Sequence, residues 1–461
     1  MQTLEADYVV VGAGCMGMAF ADTILHETNA SVVMVDRHGR PGGHWTQAYP
    51  FVRLHQPSAF YGVNSTALGD NQKDVLGANA GLYELASSAE VCAYFERVMR
   101  RQMLPSGRVT YLPLTDYTGD GIARSLTTGE QMRLLARRRI VDATYMNVVV
   151  PAMRPPPFEV ADGVRCVPLN ALGTAHSAAE NYVVIGAGKS GMDACLWLLA
   201  NGLAPDRIEW IVPRDSWLLD RAHIQFVGDL WEESAIGRSE LVEVCARANT
   251  LEDLFVRLEA CGQLMRLHPD VTPTMYRCAT VTRYEVDQLR RIDNIVRLGR
   301  LHRIEPQRMF LEHGELAVDA STLFVDCTAD GLPRRAPKPV FADAHITLQT
   351  VRPCQQAFSA AFIAHVETQP DDDVRKNAIC QVVPHPDSER DWLRSTLGIL
   401  LNSAAWMRDD GLREWLESSR LAGASRASAL EAGGSVRYQE SRQRAREFTG
   451  PAIKNLQQLL Q

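Results

Sequence analysis

Val9-Val10-Val11-Gly12-Ala13-Gly14-Cys15-Met16-Gly17 is the stretch that decides the fold. A β-branched run over Asp7–Val11 stops at three spaced glycines. An apolar segment from Met16 to about Leu25 follows, and then a second apolar run, Ser31–Val35. The order predicts strand, turn, helix, strand, which is one βαβ unit. Each glycine has its own task. Gly12 makes the tight turn, Gly14 lets a pyrophosphate approach the backbone, and Gly17 lets the helix pack closely on the strand. The helix start, with Cys15 and Met16, offers N–H groups and the positive end of the helix dipole to an anion. Asp36 ends the second strand, placed to accept hydrogen bonds from a ribose, with Arg37 beside it.

The pattern returns in mid-chain. Tyr182–Ile185 reads as a strand, Gly186-Ala187-Gly188-Lys189-Ser190-Gly191 as the turn, Met192–Ala200 as the helix and Ile208–Val212 as the next strand. Gly202 is suited to end the helix, because a C-cap favours the left-handed backbone. The second strand runs into Pro213 and Arg214, with no acid there. An acid would repel a 2′-phosphate, whereas an arginine would bind one, so Arg214 favours NADPH over NADH. Lys189 and Ser190 can add phosphate contacts. Two dinucleotide units in one chain imply a hydride passed from a nicotinamide to a second carrier, and flavin is the usual one. FAD is therefore expected on the first unit and NADPH on the second.

The chain has 461 residues, 46% of them hydrophobic and 22% charged, which suits two or three domains with sizeable cores. The net charge of −7 argues against a general nucleic-acid footprint. The basic run Arg133–Arg139 is expected to be a solvated face flanking a strand at Ile140–Val141. Ten scattered cysteines include no C-x-x-C pair, which removes the usual dithiol of disulfide-reductase flavoenzymes. All ten are expected to be reduced core thiols of a cytoplasmic protein. No signal segment and no apolar run long enough to span a membrane is evident. The histidines show no metal-ligand spacing, so no metal is expected.

The expected fold class is α/β, with two Rossmann-like dinucleotide-binding domains and a helical C-terminal region. The Pro-rich stretch Met153–Phe158 marks one crossover, and a strand at Thr322–Val325 precedes a return crossover. These place an FAD-binding domain at 1–155 and 325–461, with an NAD(P)H-binding domain at 156–324 inserted into it. In the C-terminal region Trp392, Leu393, Leu397, Leu400 and Leu401 have the spacing of a packed helical face.

Beyond Asp36 the chain reads Gly42-Gly43-His44-Trp45, then Tyr49-Pro50-Phe51-Val52-Arg53-Leu54-His55-Gln56-Pro57-Ser58 and Tyr61. An acid followed by Gly-Gly-x-Trp, and then this Y-P-x-x-R segment, resembles the flavin-containing and Baeyer–Villiger monooxygenases, the class B flavoprotein monooxygenases. The resemblance covers about 1–110 and 180–215, and more loosely 320–335, where Asp326-Cys327-Thr328-Ala329-Asp330-Gly331 is similar to the family's late linker. It implies that Gly43, His44, Trp45, Arg53, His55, Tyr61 and Asp330 contact the cofactors. It also implies that O₂ adds to reduced FAD and that the resulting flavin C4a-(hydro)peroxide oxygenates a small organic substrate.

Three positions depart from the family pattern. The signature expected before the second glycine turn retains Phe158 and Gly163 but no matching histidine. His55 stands where the family has Asp, and Phe51 where it has Gly. His55 is the candidate acid/base or hydrogen-bonding residue at the flavin, since a histidine can donate or accept a proton near neutral pH but supplies no fixed negative charge. A non-oxygenating NAD(P)H-dependent flavin reductase or dehydrogenase would use the same cofactor sites, and a non-catalytic binding protein could retain the same fold. A homodimer is an expectation from fold class alone.

Overall fold

The computed structural model describes residues 1–174, 179–329, 331, 334–423 and 433–461. Its first sheet is built on Gln2–Val11, which pairs in parallel with Val32–Val35 on one side and Gln131–Asp142 on the other. Val32–Val35 continues in parallel to Val109–Leu112. All four residues of Val32–Val35 are buried, as a parallel strand covered on both faces requires. His345–Thr347 joins the far edge in parallel with Gln131–Asp142. Helix Cys15–Glu27 and helix Gln356–Thr368 share one apolar core with this sheet, where Phe20, Phe358 and Phe362 are fully buried.

The second sheet is entirely parallel. Its order is Ile295–Val296, Ile208–Ile211, Tyr182–Ile185, Leu323–Asp326, Cys166–Pro168. The chain leaves the first sheet after Asp142, builds the second, and returns at Phe341, so one Rossmann unit interrupts the other. The Trp210 indole donates to the Gly186 carbonyl at 2.8 Å and ties the second strand to the glycine turn.

The C-terminal region is helical, as its spacing predicts. Ser388 and Asp391 form a capping box on helix Glu389–Trp406, and Asp410–Ser418 and Val436–Leu459 follow. The last helix packs on Trp231–Arg247, and Asn455 donates to the carbonyls of Cys245 and Ala248. Trp392 and Leu393 are buried, but Leu401 is 39% exposed and lies outside the packed face.

Two further expectations are corrected. Arg133–Arg139 lies inside the strand Gln131–Asp142 instead of flanking one, and two of its cations have acidic partners. Arg137 reaches Glu5 and Asp7, and Arg139 reaches Glu367 and Asp373. The cysteines are not all reduced: Cys278 and Cys354 form a disulfide across 76 residues, and the other eight are free. Scattered spacing carries no pairing signal, because these two meet only through the tertiary fold.

Candidate functional site

Both glycine turns sit at the carboxyl ends of their first strands, the edge where ligands bind in open parallel sheets. The first is held by close backbone contacts. A Cβ on Gly17 would stand 1.9 Å from the Gly12 carbonyl oxygen, so only glycine allows helix Cys15–Glu27 to approach its strand. Gly14 faces Gly43, where a Cβ on either would come within 3.4 Å of the other's Cα. The Gly42-Gly43 segment therefore closes over the first turn, and the Gly42 amide donates to the Ala13 carbonyl. Helix Cys15–Glu27 starts without a side-chain cap, so its first N–H groups suit a phosphate. Cys15 and Met16 are buried at this start, and burial pushes the Cys15 thiol up to about 11.

Asp36 is buried at the end of the second strand. It accepts from the Ala13 amide at 2.5 Å and from the amide and ring of His38 at 2.7 and 2.8 Å. These bonds fix the carboxylate at the mouth of the turn, and a carboxylate with about four acceptor positions can still receive a ribose hydroxyl. Arg37 points outward, 3.4 Å from Asp116.

Beyond Gly43 an aromatic group builds one wall. The Trp45 indole donates to the Tyr61 hydroxyl at 2.6 Å, His44 lies against Trp45, and Tyr61 meets Phe95 edge-on. Arg420, from the C-terminal region, donates to the carbonyls of Ala59, Tyr61 and Val63 and fixes that loop. Arg53 donates to the Leu85 carbonyl at 2.9 Å.

The second turn repeats the first. A Cβ on Gly191 would stand 2.0 Å from the Gly186 carbonyl oxygen, whereas one on Gly188 would meet nothing within 4 Å. Helix Lys189–Ala200 also lacks a side-chain cap. Lys189 pairs with Asp193 one turn later, and the Tyr49 hydroxyl donates to the same carboxylate at 2.6 Å. Ser190 bonds the Tyr49 hydroxyl as well. Phe51 stacks on Trp197 at 5.1 Å, which explains a large ring where the family pattern has glycine. The Tyr49–His55 segment thus runs from the first turn's wall onto the second turn's helix.

Arg214 lies 3.6 Å from Asp387, on which Arg277 and Arg334 also converge at 2.5 and 3.2 Å. Of the three guanidinium groups gathered at this carboxylate, Arg214 is the one at the end of the strand after the second turn, and its side chain is 40% exposed, so it can reach a phosphate. Asp330 lies outside the described residues.

Of the two expectations for His55, proton exchange near neutral pH is corrected and hydrogen bonding remains open. Burial, with Lys189 and Arg221 nearby, pushes it down to about 3, so the ring is neutral across the physiological range. Burial likewise lowers His44 and His385 to about 4. These shifts predict acid lability. The unfolded chain binds protons at these rings below an ordinary value of 6.5, while the folded protein does not until about 4 or lower. Stability should therefore fall as pH drops from 6.5 toward 4, by about 1.4 kcal/mol per pH unit for each histidine. Melting temperatures of the wild type and of His55→Gln across that window check this. The variant should lose stability less steeply, and parallel curves would reject the assignment.

The sequence did not point to Arg221, which is 1% exposed. It donates to the His55 carbonyl, Asn79 and the Thr280 carbonyl and pairs with Glu285 at 3.0 Å. No motif marks it or Asp387. Asp193 was findable, as the i+4 partner of Lys189 on a predicted helix. A cleft of about 440 Å³ lined by Asn181, Arg207, Asp293 and Thr322 lies at the opposite edge of the second sheet, where the strands begin, and adjoins neither turn.

Residues 10–68 match the family described as NAD(P)-binding Rossmann-like domain. An uncharacterized protein, Rv2000, of Mycobacterium tuberculosis is 53% identical over 420 residues, covering 91% of this chain and 78% of that protein. The uncharacterized protein Mb2023 of Mycobacterium bovis matches to the same extent, at 53% identity with 91% and 78% covered. Among solved structures, the polycyclic ketone monooxygenase of the thermophilic fungus Thermothelomyces thermophila superposes with a TM-score of 0.52 at 13% identity, over 99% of this chain and 88% of that one. That likeness is one of fold, and the fold is the class B flavoprotein monooxygenase type that the motifs imply. No helix among the described residues is long and apolar enough to cross a membrane.

Proposed function

We propose that this chain, which belongs to one family with the mycobacterial protein Rv2000 at 53% identity, is an FAD-dependent, NADPH-using oxidoreductase that oxygenates a small organic substrate. The observation that carries this reading is the Tyr49–His55 segment. It links the two glycine turns, each shaped for a pyrophosphate: it leads on from the Gly43–Trp45 wall of the first, and its Tyr49 and Phe51 contact the helix of the second.

FAD, when bound, would accept the nicotinamide hydride and activate O₂. The chain's own residues would do the rest. The Gly12–Gly17 turn and the start of its helix would hold the FAD pyrophosphate, and Asp36 the ribose. Trp45 and Tyr61 would pack beside the flavin ring and exclude water. Lys189 and Ser190 would bind the NADPH phosphates, and Arg214, with Arg277, the 2′-phosphate. His55, being neutral, would serve as a hydrogen-bonding residue and not as a fixed charge. The domain division at 155/156 and 324/325, a cytoplasmic location and a homodimer belong to this proposal. A second reading, a non-oxygenating reductase or dehydrogenase, is favoured by the absence of a histidine in Phe158–Leu172.

The test is spectral. Purified or FAD-reconstituted protein should be yellow, and under anaerobic conditions NADPH should bleach it faster than NADH. Readmitted air should give a transient spectrum, distinct from oxidised flavin, that persists while NADP⁺ is bound. Direct return to oxidised flavin, with no substrate-dependent product among ketones, sulfides and amines, would move the assignment to the reductase reading. Protein that takes up no FAD would remove both.

A further inference from the structure

We infer that Cys278, Cys354 and His385 form a thiol–disulfide exchange site that pins the inserted Rossmann unit to the FAD-side core and opens to an external dithiol. The two cysteines come from different parts of the fold. Cys278 lies in the strand Met275–Val281, beside the second sheet. Cys354 precedes helix Gln356–Thr368 of the first core, one residue before its N-cap. Their bond ties the two units on the side of the cleft where Gln56, next to His55, donates to the Cys354 carbonyl at 3.2 Å.

Four observations mark the pair as reactive and not as a buried staple. Both cysteines are only half-buried, so a thiol can reach them. Their Cα atoms are 6.9 Å apart, just beyond the usual range of roughly 4.4–6.8 Å for disulfides. Both have left-handed backbones, with φ of +54° and +60°, which non-glycine residues seldom adopt without compensation. The His385 Nε2 lies 3.7 Å from the Cys354 sulfur, and its Nδ1 donates to the Pro386 carbonyl at 3.1 Å. That carbonyl fixes the tautomer and leaves the Nε2 lone pair facing the sulfur. The start of helix Gln356–Thr368 also favours a thiolate at Cys354.

The other cysteines contrast with this pair. Burial pushes the Cys166 and Cys245 thiols up to about 12, and holds Cys195 and Cys327 well above their ordinary values. Those thiols are poor nucleophiles.

The reaction balances without a cofactor. A thiolate of the external dithiol attacks the Cys278 sulfur, forming a mixed disulfide and releasing Cys354. The dithiol's second thiol then displaces Cys278. The reductant leaves as its disulfide, and two electrons and two protons remain as two thiols. On reoxidation by a disulfide such as oxidised glutathione, the neutral His385 Nε2 accepts a hydrogen bond from the Cys354 S–H and orients it. The proton leaves to water, the Cys354 thiolate attacks the oxidant and releases one thiol, and Cys278 then displaces the second.

The test needs no flavin. Air-purified full-length protein, denatured with its thiols blocked, should show eight free cysteines and a cross-linked peptide pair containing Cys278 and Cys354, and after native incubation with dithiothreitol it should show ten. In glutathione buffers of graded ratio the folded protein should pass reversibly between the two states. His385→Gln should keep both counts and slow reoxidation at least about 10-fold. Ten thiols in the air-purified protein would overturn the inference. So would a bond that opens only after denaturation, or a His385→Gln variant that reoxidises at the wild-type rate.

Discussion

Gly188→Asp should leave the protein folded and able to hold FAD, yet lower its reduction by NADPH by roughly 100- to 1000-fold. Gly188 is the N-cap of helix Lys189–Ala200, with φ −76° and ψ 179°, an extended backbone open to any residue. A Cβ there meets nothing within 4 Å. Aspartate is among the best N-caps, so its carboxylate would bond the helix's first N–H groups and add a few tenths of a kcal/mol of stability over glycine. Those are the donors that a pyrophosphate needs. A charge about 4 Å from a phosphate costs about 4 kcal/mol at the effective dielectric of a protein surface. The effect therefore separates folding from binding. Gly191→Ala cannot do this, because its methyl would strike the Gly186 carbonyl at 2.0 Å and damage the turn itself. The measurements are denaturant midpoint, flavin content and anaerobic reduction rate. If Gly188→Asp reduces at the wild-type rate, the second turn does not hold the nicotinamide dinucleotide.

What the sequence made legible follows from the range of the physics involved. Glycine turns, apolar runs and helix caps act within a few residues, so both βαβ units, the site of both turns and the C-terminal helices could be read directly. Cross-chain convergence could not. Asp387 gathers Arg214, Arg277 and Arg334 from three separate segments, and Cys278 meets Cys354 across 76 residues. His55 was located by its motif, but its protonation was not, since that depends on burial and on Lys189 and Arg221 arriving from the other unit. Phe51 looked like a departure from a pattern, and its reason became visible only with Trp197 opposite.

Arg221→Met should destabilise the protein by about 3–5 kcal/mol, the largest stability effect of any substitution near the cleft. The guanidinium is buried, with its ion-pair partner Glu285 only 9% exposed at the side chain. Methionine fills similar volume, so the cost is one of polarity and not of a cavity. Three carbonyl acceptors, on His55, Asn79 and Thr280, would lose their donor. Glu285 would keep its helix-capping bond to the Thr282 amide at 2.6 Å but lose its counter-charge. His55 and Asn79 belong to the FAD-side segment, and Thr280 and Glu285 to the inserted unit, so the loss falls on the contact between them. Urea denaturation of Arg221→Met and of the double variant Arg221→Met/Glu285→Gln separates the contributions. The double variant should recover part of the loss, because no buried charge is left unpaired. A single variant within about 1 kcal/mol of wild type would mean that water already solvates this arginine. A double variant no better than the single would put the cost on the three orphaned carbonyls instead of the ion pair.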